Sequence, residues 1–263
     1  PTDVWALEIA TQKDEILFVG LDNAHGAELW RSAGTERDAT LLFEISPGIA
    51  NGFEDPPGLD AMMDWQAPRL VALSDRSLLT ADDGVHGREL WVTDGTPDGT
   101  ALLKDIFPGP YPSTPRNLTR AGDRVFFTAE SDVAGIEIWA TDGTDAGTAI
   151  LKDIAPGALS SIPEDLAFRD GVLYFSAWSP DYGREGWMSD GTAAGTVRIT
   201  DIAPGPASSS PQRFARAGNK LFFSATDQIH GYELWAIAYE AGSPLFVDGF
   251  EIGSALRWSA IEP

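Results

Sequence analysis

Five copies of one short pattern run through this 263-residue chain. Each copy is the triplet Glu-x-Trp with a Gly two residues ahead of the Glu. The copies end at Trp30, Trp91, Trp139, Trp187 and Trp235. The last three intervals are 48 residues and the first is 61, so 13 inserted residues separate the first copy from the second. A fixed period of this length marks stacked supersecondary units, none of which can bury its apolar face alone.

Aligned on the Trp, every copy holds four short segments rich in aromatic and β-branched residues and bounded by Gly, Asp or Pro, the signature of strands. The first segment is WALEIATQKD (5–14), RLVALSD (69–75), NLTRAGD (117–123), DLAFRDG (165–171) and RFARAGN (213–219). The second is ILFVGL (16–21), SLLTAD (77–82), VFFTAE (125–130), LYFSAW (173–178) and LFFSAT (221–226). Glu-x-Trp is the third. The fourth is TLLFEI (40–45), ALLKDI (101–106), AILKDI (149–154), VRITDI (197–202) and, at the same offset, LFVDGF (245–250). Segments two and four are nearly continuous apolar runs, which predicts strands covered on both faces.

Four strands per period predict an all-β chain: a five-bladed β-propeller of four-stranded antiparallel blades. The blades fall at about 4–50, 67–114, 115–162, 163–210 and 211–253, so residues 1–253 form one propeller, with an insertion at 49–66 and a tail at 254–263.

Charge and cysteine usage then remove whole classes of function. The 40 acidic against 18 basic residues leave a net charge of −22, which repels phosphate backbones and excludes nucleic acid as a partner. No run of eighteen apolar residues could insert in a membrane. With no Cys there is no disulfide scaffold, thiol catalysis or thiolate metal site. The chain opens on Pro1 and not on Met, which suggests that a leading segment has been removed.

The text ELWVTDGTPDGTALLKDI (89–106), with EIWATDGTDAGTAILKDI (137–154), resembles the bacterial ELWxxDGT-repeat proteins. The resemblance spans residues 4 to 253 and implies a secreted or surface-associated propeller, with no common activity to carry over. The first copy (SAGTERDAT, 32–40) and the fifth (AIAYEAGSP, 236–244) depart from the pattern, and Gly186 replaces Leu in the fourth. The stretch VDGFE (247–251), followed by Trp258, resembles a C-terminal element of other secreted bacterial proteins.

Within Glu-x-Trp the Glu and Trp share one strand face. The five Trp are expected in packing between blades. Their glutamates, Glu28, Glu89, Glu137, Glu185 and Glu233, are expected to accept hydrogen bonds from turn amides. Fivefold repetition argues against catalysis, which needs one unique constellation. The Asp-Gly-Thr turns at Asp94, Asp142 and Asp190 fit tight turns closed by an Asx side chain. Ca²⁺ held by these aspartates is the alternative, although they lack the dense Asp-x-Asp-x-Asp spacing of calcium loops. His25, His86 and His230 share one column ahead of the repeated Gly, too far apart on separate blades for one zinc ion. No nucleophile elbow, phosphate loop or dinucleotide fingerprint is present, so no enzyme activity and no cofactor are expected.

Asymmetry is where function should reside. The turns between strands two and three and the long inter-blade loops should emerge at one face. That face would carry the insertion residues Phe53, Met62, Met63 and Trp65, with Tyr111, Trp178 and Tyr182 in other loops. These aromatics would suit sugars or a protein partner, unless the insertion folds back into the centre. The closing stretch EIGSALRWSAIEP (251–263), with Ile252, Leu256 and Trp258, has no blade position left and is expected to pack on its own propeller or on a second subunit. The favoured expectation is a self-associating extracellular structural protein. The alternatives are a monomeric glycan- or protein-binding propeller and a hydrolase on this scaffold.

Overall fold

The computed structural model describes residues 4–35, 38–47, 52–53, 70–238 and 256–257. Among them every regular element is a strand, and the strands form five antiparallel sheets of four. The first sheet is β1 (Trp5–Gln12), β2 (Glu15–Asp22), β3 (Gly26–Ser32) and β4 (Thr40–Phe43), side by side in chain order. The second is β5 (Leu70–Ala72), β6 (Ser77–Asp82), β7 (Arg88–Thr93) and β8 (Ala101–Lys104). The third is β9 (Arg116–Ala121), β10 (Arg124–Ser131), β11 (Gly135–Thr141) and β12 (Ala149–Lys152). The fourth is β13 (Glu164–Arg169), β14 (Val172–Ser179), β15 (Gly183–Ser189) and β16 (Val197–Arg198), and the fifth is β17 (Gln212–Ala217), β18 (Lys220–Thr226), β19 (Tyr232–Ala238) and β20 (Leu256–Arg257). Each sheet is thus a meander of neighbours, the arrangement that tight Gly- and Asp-rich turns favour.

The chain divides into two compact units, Pro1–Val133 with Trp139–Ala149, and Ala134–Ile138 with Ile150–Pro263. In the first unit, Leu17, Val19, Ala27 and Leu29 of the first sheet share a buried cluster with Leu70, Leu79, Ala81 and Trp91 of the second. In the second unit, Tyr174 and Met188 of the fourth sheet pack with Phe214, Phe223, Ala225 and Trp235 of the fifth. On the receiving sheet the positions are the same in both units: Leu70 and Phe214, Leu79 and Phe223, Ala81 and Ala225, and Trp91 and Trp235 stand at equal offsets in the repeat. The five repeat tryptophans are all buried, between 6% and 9% exposed.

One expectation about the fourth strands needs correction. They are not covered on both faces: β4, β8 and β12 each bury only one residue in four, because they form a sheet edge. Residues 245–250, expected as the fourth strand of the fifth sheet, lie outside the described residues. The fourth strand of that sheet is Leu256–Arg257, with Arg257 opposite Trp235. Elsewhere the partner of the repeat Trp is eleven residues on, as in Trp91↔Leu102 and Trp187↔Arg198. Leu256 therefore belongs to a sheet and not to a tail without a place. Any strand that offers free backbone groups at that edge can complete the meander, whatever its distance along the chain.

Candidate functional site

Buried carboxylates are the chemically richest groups in the structure. Glu28, Glu89, Glu137 and Glu185 are each 0% exposed. Each lies opposite a small residue of the neighbouring strand where the pairing is described, Gly20, Ala81 or Ala177, which leaves room for a carboxyl inside the sheet stack. The fourth strand then ends and turns its amides inward. Glu89 accepts hydrogen bonds from Ile106 N (2.9 Å), Phe107 N (3.4 Å), Ser113 N (2.8 Å) and Ser113 Oγ (2.6 Å). Glu137 accepts from Ile154 N (3.1 Å), Ala155 N (3.0 Å), Ser161 N (3.1 Å) and the Ser161 hydroxyl. Glu185 takes Ile202 N, Ala203 N, Ser209 Oγ and Thr200 Oγ1. Glu28 takes Ile45 N, Ser46 N and Gly52 N. Glu233 is half-buried, and the loop that would follow it lies outside the described residues. Each carboxylate therefore ties the end of its own sheet to the crossover leading to the next.

The serine in this node escaped the sequence reading. Its signal was there: Ser113, Ser161 and Ser209 all stand 24 residues after their Glu, each within a loop containing Pro. In the first copy Gly52 takes that place, and Phe53 beside it is 2% exposed and packed into the first unit's core. Phe53 is therefore not an exposed ligand contact. Burial of its apolar ring outweighs display of the loop. Met62, Met63 and Trp65 of the insertion lie outside the described residues, as do Ile252 and Trp258.

Burial pushes Glu28 and Glu89 up to about 7, against the pull of the amides, and raises Glu137 and Glu185 as well. A folded state that holds a proton more tightly than the unfolded chain gains stability that is full below pH 4.5 and is lost as pH rises towards 7. Aspartates act in the opposite sense. Burial alone would raise Asp22 and Asp83, but hydrogen bonds from His25 and His86 more than offset it. Their contribution is present above pH 3.8 and lost below it. The melting midpoint should therefore peak at about pH 5 and decline towards pH 7.5. Melting curves at constant ionic strength test this, and a midpoint that climbs steadily from pH 5 to 8 would show the amides overriding burial.

The Asp-Gly-Thr turns use their aspartates internally. Asp94 Oδ1 accepts from Thr96 N (2.9 Å) and Thr96 Oγ1 (2.6 Å), and Gly99 N donates to Thr96 Oγ1. Asp142 and Asp190 repeat the pattern with Thr144 and Thr192. A Cβ on Gly99 would lie 2.1 Å from Asp94 Oδ1, so the second Gly of the motif is required by close approach. Among the described residues no three His, Asp or Glu side chains come together as a metal-holding group. The histidines instead pair singly, with the Asp three residues before each: His25 with Asp22, His86 with Asp83 and His230 with Asp227, at 2.7–2.9 Å. The repeated Asp-x-x-His text was the signal for this pairing.

Hairpins and inter-sheet loops meet at one sheet edge. Thr114 N donates to Arg88 O, Ser161 N to Ile136 O and Ser209 N to Arg184 O. Gly135, at φ 58°, sits so close that a Cβ there would stand 2.5 Å from Leu159 O. Of the aromatics expected at this edge, Tyr111 is 64% exposed beside the Phe107 ring. Tyr182 is half covered, with the Arg198 guanidinium 3.7 Å above its ring, and Trp178 is half-buried. Tyr111 belongs to the first unit and the other two to the second.

No protein-family model matches this chain. None of the curated proteins matches it either. Among solved structures it is similar to the computationally designed Ika8 protein, with 16% identity, a TM-score of 0.44, and coverage of 89% of this chain and 58% of that one. It is also similar to a protein described as TolB from Agrobacterium tumefaciens, with 12% identity, a TM-score of 0.44, and coverage of 90% and 78%. A third is prolyl oligopeptidase B from Galerina marginata, with 12% identity, a TM-score of 0.47, and coverage of 88% of this chain and 31% of that enzyme. With TM-scores below 0.5 these likenesses carry no argument about activity.

Proposed function

We propose that the five sheets are the blades of a five-bladed β-propeller that serves as a non-enzymatic, extracellular structural subunit and associates with copies of itself. One observation supports the non-enzymatic part. The carboxyls with shifted pKa values are taken up by local hydrogen bonds, and the buried ones recur in equivalent copies, so among the described residues no unique acid–base pair is set apart for chemistry. Secretion rests on the resemblance to ELWxxDGT-repeat proteins. Self-association rests on apolar residues left in water, among them Val133 at 72%, Ile229 at 79% and Leu234 at 50% exposed.

A surface of net charge −22 opposes any contact between copies, and added salt screens that repulsion. Light scattering on the full chain should therefore show a mass that rises with protein concentration, and more steeply at high salt. A monomer at every concentration and salt would overturn the proposal. If that monomer bound a glycan array through exposed Tyr111, the lectin-like alternative would take its place. Removing residues 252–263 would not be a clean test, since it deletes the Leu256–Arg257 strand.

A further inference from the structure

Four loops at one end of the fourth and fifth sheets are tied side by side. They are the inter-sheet loops 156–163 and 204–211 and the hairpin turns 178–184 and 226–232, all within the second unit. Trp178 N donates to Ser161 O (2.8 Å), Ser209 N to Arg184 O (3.0 Å) and Thr226 N to Ser209 O (2.9 Å). The Arg184 guanidinium donates to Ile162 O (2.8 Å), and the Gln228 side-chain amide to Ser208 O. These bonds hold Leu159, Ile162, Tyr182, Ile229 and Tyr232 on one continuous surface, each between 40% and 79% exposed. They are five of the ten large hydrophobic side chains exposed among the described residues, and Val85, Tyr111 and Val133 stand in the equivalent loops of the first unit. Turn chemistry does not call for them: Ile229 occupies a hairpin tip, where Gly, Asn or Asp is favoured. The sheets of this unit pack through their faces, as Tyr174 and Met188 do against Phe214 and Phe223, so stacking leaves the loop ends uncovered. Contiguous apolar surface of this kind marks a place of interaction.

Charge is nearly absent from the same surface. The two inter-sheet loops, PGALSSIP and PGPASSSP, contain no ionisable side chain. The hairpins contribute Asp181, Arg184, Asp227 and His230. Asp227 is paired with His230 at 2.7 Å, and Arg184 with Glu164 at the border at 3.3 Å. On a chain of net charge −22, this is an end at which a second copy meets little repulsion. We infer that this loop end docks on the same loop end of a second copy of the chain. The inference rests on the self-association proposed above and names its contact. The opposing surface must itself be apolar and nearly uncharged. Among the described residues of this unit the one other exposed large hydrophobic is Leu234, so the surface that matches the loop end is the loop end itself. Such a pairing is twofold and closes as a dimer.

The test is light scattering of the full chain at high salt, with Leu159→Asp, Ile229→Asp and, as a control, Ala193→Asp. Ala193 is exposed in the β15–β16 connection, at the opposite end of the strands. The wild type should reach twice the monomer mass and stop there. Each loop-end substitution should weaken association by about 30-fold or more, since a twofold contact meets every change twice. Their melting midpoints should stay at the wild-type value, because both side chains are exposed in the single chain. Ala193→Asp should associate as the wild type does. If the wild type associates and the loop-end variants do so equally, or the control is weakened as much as they are, this contact falls while self-association stands. A mass that grows past two copies likewise overturns the twofold pairing alone. A wild type that is monomeric at every concentration overturns both proposals.

Discussion

Replacing Glu137 by alanine is expected to destabilise the fold by about 3–5 kcal/mol, the range seen when one partner of a buried polar network is removed. The carboxylate is fully buried and receives three backbone amides and one hydroxyl. Alanine leaves all four donors facing a cavity without an acceptor, and the amides cannot be deleted with the side chain. Glu137→Gln keeps one carbonyl acceptor but adds two donors where four already point, so it should fall between alanine and wild type. Ser161→Ala removes one donor and leaves the carboxylate well served, so its cost should be only about 1 kcal/mol. Denaturant unfolding of the three variants gives the ranking. If Glu137→Ala unfolds at the wild-type midpoint, the node is filled by water and does not hold the crossover.

Trp139→Ala is expected to cost about 3–5 kcal/mol through lost burial and the cavity left behind. The indole is 8% exposed and packs beside the Phe127 ring, 6.3 Å between centroids and 28–29° from parallel like the Phe18–Trp30 pair. Its strand lies inside a sheet, so the backbone cannot collapse into the space without breaking ladder bonds on both sides. Trp139→Phe should recover part of the loss, because most of the apolar area returns. The melting midpoint and the cooperativity of the transition check this. A midpoint within experimental error of wild type would falsify the core role of the repeat tryptophan.

Local chemistry explains which features were legible in the sequence. The strand positions follow from apolar segments bounded by Gly and Asp, so β10, β14 and β18 fall within two residues of the predicted runs. The turn role of Asp94, Asp142 and Asp190 was also legible, because an Asp side chain satisfies amides only two residues away. That the repeat glutamates accept from loop amides is legible too, and Glu28, Glu89, Glu137 and Glu185 do so. The identity of the donors was not readable, because they stand 17, 18 and 24 residues further on, as Ile154, Ala155 and Ser161 do for Glu137. Phe53 misled for a related reason: an aromatic in an insertion looks exposed until the core that receives it is known.

By itself, the sequence determined the period, the all-β class, the four segments of each unit and the burial of the five tryptophans. All of these depend on spacing and side-chain polarity along a short stretch of chain. Tertiary structure alone decided what covers each face. It placed Leu256–Arg257 as the last strand, although the repeat offset pointed to 245–250, because an open edge accepts any strand that reaches it. It also left Ile9 in water while burying Leu70, Leu118 and Phe214 at the same repeat position. Two-residue alternation tells which side chains share a face, but whether that face meets protein or solvent depends on neighbours distant in the chain.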